Sequence, residues 1–126
     1  YGLPVGIGAH RMGVVEDCEK AGFDPDFYMV TFHHLDYPSA KLYYDSRWCS
    51  RPDELAALMR TVEKPWIAFK VMAAGAIPPE SAFRYAYENG ADFIVAGMFD
   101  FEIATDVQLA RDILSQLKKR MRPWYG

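Results

Sequence analysis

The chain has few cysteines, no cluster of positive charge and no long apolar run, and each absence narrows the class of protein. Its two cysteines, Cys18 and Cys49, match no metal-ligand spacing, so we expect free thiols in a reducing compartment. The net charge is −3, with both signs spread along the chain, which argues against a nucleic-acid-binding surface. No stretch approaches the ~20 apolar residues of a membrane span, and no signal peptide is recognisable. We therefore expect a cytoplasmic protein that binds neither nucleic acid nor membrane.

Apolar residues, in contrast, are plentiful. The 126 residues are 51% hydrophobic and 15% aromatic, which suits a packed core in one domain or in part of one. The single basic run, Lys118–Arg120 with Arg122, is expected to be a solvated last turn that complements a helix dipole. The chain begins with Tyr1 rather than Met, and Leu3 leads almost directly into an apolar run. We therefore expect an N-terminal portion to be missing.

Four short apolar runs alternate with four helical patterns. The runs are nearly continuous in apolar residues rather than alternating, as is typical of strands in a parallel sheet. A helix candidate follows each run, and this order predicts an α/β fold with parallel strands. The predicted strands are Val5–Ala9, Phe27–Phe32, Trp66–Met72 and Phe93–Met98.

Capping and turn residues indicate where the helices begin and end. Glycines after apolar stripes mark two C-terminal ends, and Pro, Ser or Thr marks the N-terminal ends. We also expect the fourth helix to bury a stripe that includes Val107. The predicted helices are Met12–Ala21, one with Ser50 as N-cap and Pro52 in its first turn, one from Pro79 to Asn89, and one starting at Thr105 with Gln108 as its capping-box partner.

Four parallel strands with right-handed, barrel-like crossovers would place all their helices on one face of the sheet. The other face would be apolar and uncovered. The predicted fold is therefore a (βα)4 half of a TIM barrel, a single domain over residues 1–126. A second copy or a missing N-terminal half would complete it.

Three motifs, in order along the chain, resemble the C-terminal half of aldo/keto reductases, in particular a bacterial aldo/keto reductase-like branch. Gly6–His10 followed by a helix is similar to that family's G-[IV]-S-x-H strand. Lys64–Gly75 resembles its seventh strand and the turn after it. Ala91–Met98 followed by Phe99–Glu102 resembles its eighth strand and G-M-x-S-x-E loop.

This resemblance implies a barrel half that contacts the phosphates of a nicotinamide cofactor, so NADP is a candidate ligand. The residues it places at the cofactor are Met98 and Gly97 in the loop after the eighth strand. The family's catalytic Asp, Tyr, Lys and His belong to the other half, so the resemblance carries no catalytic residue onto this chain.

All three histidines of the chain fall at predicted strand ends, where a βα barrel builds its active site. They are His10, His33 and His34, and we take them with Lys70 and Asp100 as candidate catalytic residues. Histidine could serve as a general acid or base there, and a buried lysine could form a Schiff base. Each histidine could equally cap backbone groups, and the lysine could pair with Asp100 or Glu102.

The same positions allow a second chemistry. Two histidines and Asp100 on neighbouring strand ends could hold a divalent metal with an open coordination position. Their order resembles the second half of amidohydrolase-type barrels and would suit a metal-dependent lyase, isomerase or hydrolase. A third alternative is a non-catalytic scaffold that dimerises through its uncovered face.

Two glycine turns suggest a phosphate site. Ala74-Gly75 follows the third predicted strand and Gly97-Met98 ends the fourth, at positions where barrels often present backbone N–H groups to a phosphate. Small side chains let a ligand approach the backbone, although glycine could also relieve crowding. Arg11 and Arg47 could supply positive charge. The leading hypothesis is a small-molecule ligand, phosphate-bearing, at the C-terminal strand ends.

The connection from His34 to Cys49 is long for a compact domain and carries several aromatic residues. We interpret it as an ordered lid over a pocket, although it could simply cover core helices. Its aromatic residues are Tyr37, Tyr43, Tyr44 and Trp48.

Overall fold

The computed structural model describes residues 1–42 and 48–126, and strands and helices alternate along them as the sequence predicts. Two short 3-10 turns, Pro38–Leu42 and Asp100–Glu102, lie in the connections. The strands are β1 (Gly6–Ala9), β2 (Phe27–Thr31), β3 (Trp66–Phe69) and β4 (Phe93–Val95). The helices are α1 (Met12–Ala21), α2 (Pro52–Met59), α3 (Pro79–Glu88) and α4 (Ile103–Gln116).

The four strands form one parallel sheet in the order β1-β2-β3-β4, so each strand pairs with the next one along the chain. In register, Gly8, Met29, Ile67 and Phe93 lie side by side across the sheet. The predicted α/β class with a parallel sheet is confirmed. Because the order is sequential, β1 and β4 are the two edges of the sheet.

Helix ends agree with the sequence where glycine or proline marks them. α1 ends at Gly22, whose backbone is left-handed with φ 70°, as a glycine C-cap requires. α3 covers its predicted range, and Pro79 is its first residue. The expectation for α2 was wrong in one respect: Arg51 rather than Ser50 is its N-cap, because Pro52 sets the first helical position.

All four strands are shorter than predicted, β1 and β2 by one residue each and β3 and β4 by three. β3 stops at Phe69 rather than Met72, because Lys70 has φ 55° and leaves the extended conformation. β4 stops at Val95 rather than Met98. The sequence stays largely apolar beyond Phe69 and Val95, so a prediction from apolar composition placed the ends of β3 and β4 too late.

The fourth helix begins earlier than predicted. The Glu102 carboxylate accepts a hydrogen bond from the Phe99 N–H at 3.0 Å, and α4 starts directly after it at Ile103. Thr105 therefore lies inside the helix and is not its cap. Val107, expected in the buried stripe, is 42% exposed. In the described residues, no helix is both long and apolar enough to cross a membrane.

The hydrophobic core lies between one face of the sheet and the helices. Tyr28, Val30, Trp66 and Ala68 of the two central strands are fully buried on this face. They pack with helix residues such as Leu55, Met59, Phe83 and Ile113. Burial of this kind contributes about 1.5–3 kcal/mol for each large apolar side chain.

The opposite face of the sheet, here called the open face, is not buried. Its members alternate with the core residues along each strand, and all except the fully buried Thr31 are half-buried or exposed. Phe93 is 42% and Val95 is 50% exposed. The members are Gly6, Gly8, Phe27, Met29, Thr31, Ile67, Phe69, Phe93 and Val95.

Lys118 and Lys119 of the C-terminal basic run are exposed, as predicted, but Arg120 is half-buried and Arg122 is buried, so the prediction of a solvated last turn was wrong for the two arginines. Asp92, directly before β4, accepts hydrogen bonds from Arg120 at 2.8 Å and from Arg122 at 2.9 Å. It also accepts one from the Trp66 N–H at 2.9 Å. The buried carboxylate requires paired charge, and the tail supplies it. We call Asp92, Arg120 and Arg122 the tail clasp.

Candidate functional site

A cavity of about 310 Å³ lies at the C-terminal ends of β3 and β4, and we call it the β3–β4 cavity. It brings together four of the predicted site residues, from two different connections of the chain. Its volume is at the small end of the range for ligand sites. The residues that line it include Phe69, Lys70, Ala74, Gly75, Val95 and Gly97.

The connection after β3 gives this cavity an unusual backbone. Lys70, Ala73 and Ala74 have φ values of 55°, 47° and 58°, and Gly75 follows with φ 85°. Left-handed non-glycine residues cost free energy and concentrate at functional sites. Hydrogen bonds inside the turn hold them, including Gly75 N–H to the Met72 carbonyl at 2.9 Å.

Gly97 has no structural reason to be glycine. Its φ is not positive, and a Cβ added there would meet no atom within 4 Å. The idea that this glycine relieves crowding is therefore wrong. In the described part of the chain, the N–H groups of Ala74 and Gly97 donate to no protein acceptor. Both residues line the β3–β4 cavity, and the approach to Gly97 is open.

Lys70 supplies positive charge at the edge of the β3–β4 cavity. Its Nζ lies 3.7 Å from the centre of the Trp48 ring, a cation–π contact. Among residues 1–42 and 48–126, no ion pair joins it to Asp100 or Glu102. Its ammonium group is therefore not neutralised by a carboxylate in this part of the chain.

His10 follows β1, and its ring lies against the Trp48 ring that also contacts Lys70. Its ring centre is 5.0 Å from that of Trp48 and 5.3 Å from that of Phe69. Its Nδ1 hydrogen-bonds to the Thr31 hydroxyl at 2.7 Å. Arg11 is exposed beside it, and both line a second cavity of about 760 Å³ between β1 and α2. We call it the β1–α2 cavity, and Trp48 links it to Lys70.

His33 does not face either cavity. It is 1% exposed, and its Nε2 accepts hydrogen bonds from the N–H groups of Trp48 at 3.3 Å and Cys49 at 3.1 Å. These donors place the ring proton on Nδ1, which donates to the His34 carbonyl at 2.9 Å. The ring caps backbone groups at the end of the long connection.

His34 lies on the helical side of the sheet. Its Nδ1 accepts a hydrogen bond from the Asp36 N–H at 3.1 Å, so its Nε2 carries the proton and faces the Ser81 hydroxyl at 3.0 Å. This tautomer cannot accept the serine proton at Nε2. The pair therefore joins β2 to α3 and does not have the arrangement of an activated serine.

The remaining predicted residues lie outside both cavities. Asp100 is exposed, and its Oδ1 accepts a hydrogen bond from the neighbouring Phe101 N–H at 3.0 Å. Met98 is half-buried and follows Gly97 without lining the β3–β4 cavity. Tyr43, Tyr44 and Arg47 lie outside the described residues.

The described residues contain no group of three His, Cys, Asp or Glu side chains placed to hold a metal ion. His10, His33 and His34 follow neighbouring strands, but their rings turn toward three different surroundings. Both cysteines are free, as expected, and burial raises the pKa of the Cys49 thiol. The geometry thus gives the metal alternative no support.

Sequence reasoning missed part of this site. Phe69 was taken only as a strand residue, although its ring lies beside His10 and lines the β3–β4 cavity. The period-two alternation of β3 could have placed it on the face opposite Trp66 and Ala68. Ser81 had no signal, because its contact with His34 joins residues 47 positions apart.

The chain was compared with models of protein families, with curated proteins and with solved structures, and none of the three comparisons gave a match.

Proposed function

We propose that this chain is one half of an eight-stranded βα barrel and that it binds a phosphate-bearing small molecule at the C-terminal ends of β3 and β4. The proposal rests on the presence of glycine at position 97. Neither its backbone conformation nor the packing of the chain calls for glycine, yet its bare backbone lines the β3–β4 cavity.

Three further features support an anionic ligand there. Backbone N–H groups of Ala74 and Gly97 are available as donors. Lys70 lines the cavity and has no carboxylate partner in the described residues. Charge-assisted hydrogen bonds of this type are the usual way in which proteins hold phosphate. The cavity volume of about 310 Å³ suits a phosphate group or a sugar phosphate.

The resemblance to the cofactor-binding half of aldo/keto reductases makes NADP one candidate ligand. The residues present fit its phosphates, because Asp100 turns its carboxylate toward its own turn and does not line the cavity. Lys70, Ala74 and Gly97 would hold a phosphate of the cofactor, which would supply hydride chemistry when bound.

Isothermal titration tests the proposal, with inorganic phosphate, glucose 6-phosphate and NADP as separate probes. We expect at least one probe to bind, and Gly97→Val to weaken that binding by at least about tenfold because its side chain fills the approach. The free energy of unfolding should change by less than about 0.5 kcal/mol, because a Cβ at this position meets no atom within 4 Å.

Ala57→Val, on the exposed surface of α2, is the matched control and should leave binding unchanged. Lys70→Met should weaken phosphate binding without removing the turn that carries Gly75. The proposal is wrong if no probe releases heat, or if Gly97→Val binds as well as the wild type.

A further inference from the structure

The open face and both edges of the sheet remain to be explained. β1 and β4 each have one side without a neighbouring strand in the described residues, and both edges run in the same direction. Unpaired parallel edges next to an apolar face are normally covered in a stable protein. A single partner that offers a parallel strand to both β1 and β4 would cover the two edges and the open face together.

The exposed surface also exceeds what a compact monomer needs. The chain exposes 7844 Å², whereas a folded monomer of 14.4 kDa is expected to expose about 6,800 Å². The excess of about 1,000 Å² is similar to the roughly 800 Å² that each partner buries in a standard stable interface. The area available thus suits a dimer.

A second copy of this chain meets both edges. Rotation by half a turn about an axis parallel to the strands places β4 of one copy beside β1 of the other, still parallel, and does so twice. The result is a closed sheet of eight strands, which is the number in a filled βα barrel. The interface is isologous, as in most homodimers.

The flanking helices fit this arrangement. α4 of one copy would lie beside α1 of the other, running in the same direction. Near their N-terminal ends, Val14 of α1 and Val107 of α4 are exposed apolar residues. The contact between the two helices would thus bury apolar residues that one chain leaves exposed.

Closure also changes the proposed phosphate site. Within one chain, β1 and β4 are three strand spacings apart, about 14 Å. In the closed barrel, the partner's β1 lies one spacing from β4, about 4.8 Å. The residues that follow the partner's β1 then adjoin Gly97. They are the partner subunit's His10 and the partner subunit's Arg11.

From these observations we infer that two copies of this chain close an eight-stranded barrel and share each phosphate site, with Gly97 and Lys70 from one copy and Arg11 from the other. Arg11 has no carboxylate partner in the described residues, so its charge is available for an anion. The shared site rests on the proposed function, whereas the dimer does not.

The dimer is tested without any ligand, by light scattering coupled to size exclusion. The wild type should have twice the 14.4 kDa mass of one chain. Gly8→Glu places a carboxylate on the open face, where a Cβ meets the end of the Met29 side chain at 3.7 Å and the Met29 carbonyl oxygen at 4.0 Å, and should give a folded monomer. Ala57→Glu, on the exposed side of α2, is the matched control and should stay dimeric. A monomeric wild type, or a dimeric Gly8→Glu protein, overturns the inference.

The shared site is tested by mixing two defective chains. Arg11→Glu and Gly97→Val should each bind inorganic phosphate at least about tenfold more weakly than wild type. When the two are unfolded and refolded together, each mixed dimer has one intact site, so binding returns at about a quarter of the wild-type number of sites. No recovery from a dimeric mixture shows that the partner subunit's Arg11 does not reach the site. Phosphate binding by wild type alone decides the proposed function separately.

Discussion

His33 fixes the end of the long connection through its ring. Its Nε2 accepts from two successive backbone N–H groups, at Trp48 and Cys49, and its side chain is almost fully buried. Since Trp48 carries the contact with Lys70, the position of this ring also determines where the lysine ammonium lies. His33 takes no part in ligand binding, but through Trp48 it positions Lys70, which we expect to bind the ligand.

Replacing His33 by alanine should therefore destabilise the chain. It leaves two backbone donors without their acceptor and removes a buried ring, which we expect to cost about 2–4 kcal/mol. His34→Ala, in a half-buried position, should cost less than about 1.5 kcal/mol. Urea unfolding measures both, and equal losses for the two variants would contradict the assigned roles.

At the residue scale, the sequence predicted which positions follow strands but not where their side chains point. Gly75 and Gly97 were identified correctly as neighbours at the C-terminal ends of the strands, because parallel strands end on the same side of the sheet. The directions of His33 and His34 depend on partners far away or in the long connection. The positive φ of Lys70 has no signature in residue type, since lysine rarely adopts it.

The tail clasp is the main contact that the residues after α4 make with the sheet. Arg122 is 4% exposed and also donates to the carbonyls of Val62 and Lys64, at 2.8 Å each. These residues lie just before β3, and Asp92 lies just before β4. The clasp therefore joins the N-terminal ends of two strands, opposite the end that carries the cavities.

Arg122→Met should remove a large part of this stabilisation. The Asp92 carboxylate would stay buried with one cation fewer, which we expect to cost about 3 kcal/mol or more. Arg111→Met, on the exposed surface of α4, is the matched control and should change stability by less than about 0.5 kcal/mol. Phosphate binding should remain in both variants when measured well below the unfolding temperature.

At the element scale, apolar runs and helix punctuation predicted the order and type of the main elements. α1 and α3 were placed almost to the residue, because glycine and proline mark their ends. The ends of β3 and β4 and the start of α4 were misplaced, because they depend on local φ values and on one Glu102 hydrogen bond. The two arginines of the basic run were misread because their partner, Asp92, is distant in sequence.

At the scale of the whole molecule, two buried or half-buried tyrosines are expected to lower the stability of the fold at alkaline pH. Burial, with the nearby Asp53 and Cys49 charges, raises the pKa of Tyr85 to about 12. Burial and the hydrogen bond to Glu19 raise the pKa of Tyr28 further still. In the unfolded chain both phenols ionise near pH 10. The folded state therefore binds these protons more tightly than the unfolded state.

Stability should thus be unaffected by these phenols below about pH 10 and should fall as the pH rises toward about 12. The urea midpoint should be lower at about pH 11 than at about pH 8. Tyr85→Phe keeps the ring that stacks on Phe32 but cannot ionise, so its midpoint should fall less. An equal fall in both proteins would show that the Tyr85 phenol does not contribute.

The parallel sheet and its sequential order were predicted at this scale, because strands alternate with helices along the chain. The open face was also expected from that order. What covers it could not be predicted from apolar patterning, since patterning shows that a surface avoids water but not what it contacts. Edge direction and surface area were needed to choose a second copy.

The chain between β2 and β3, which includes α2, is twice as long as the chain between β1 and β2. This difference affects how freely its length can vary. Residues 32–65 separate these strands, 34 residues, whereas 17 residues, 10–26, separate β1 and β2. Closing a chain loop twice as long costs only about 0.6 kcal/mol more in entropy. Insertions and deletions there would thus scarcely change the cost of pairing the two strands. Changes of length before Trp48 would alter the surroundings of Lys70, whose Nζ contacts the Trp48 ring, at little cost to the pairing of β2 with β3.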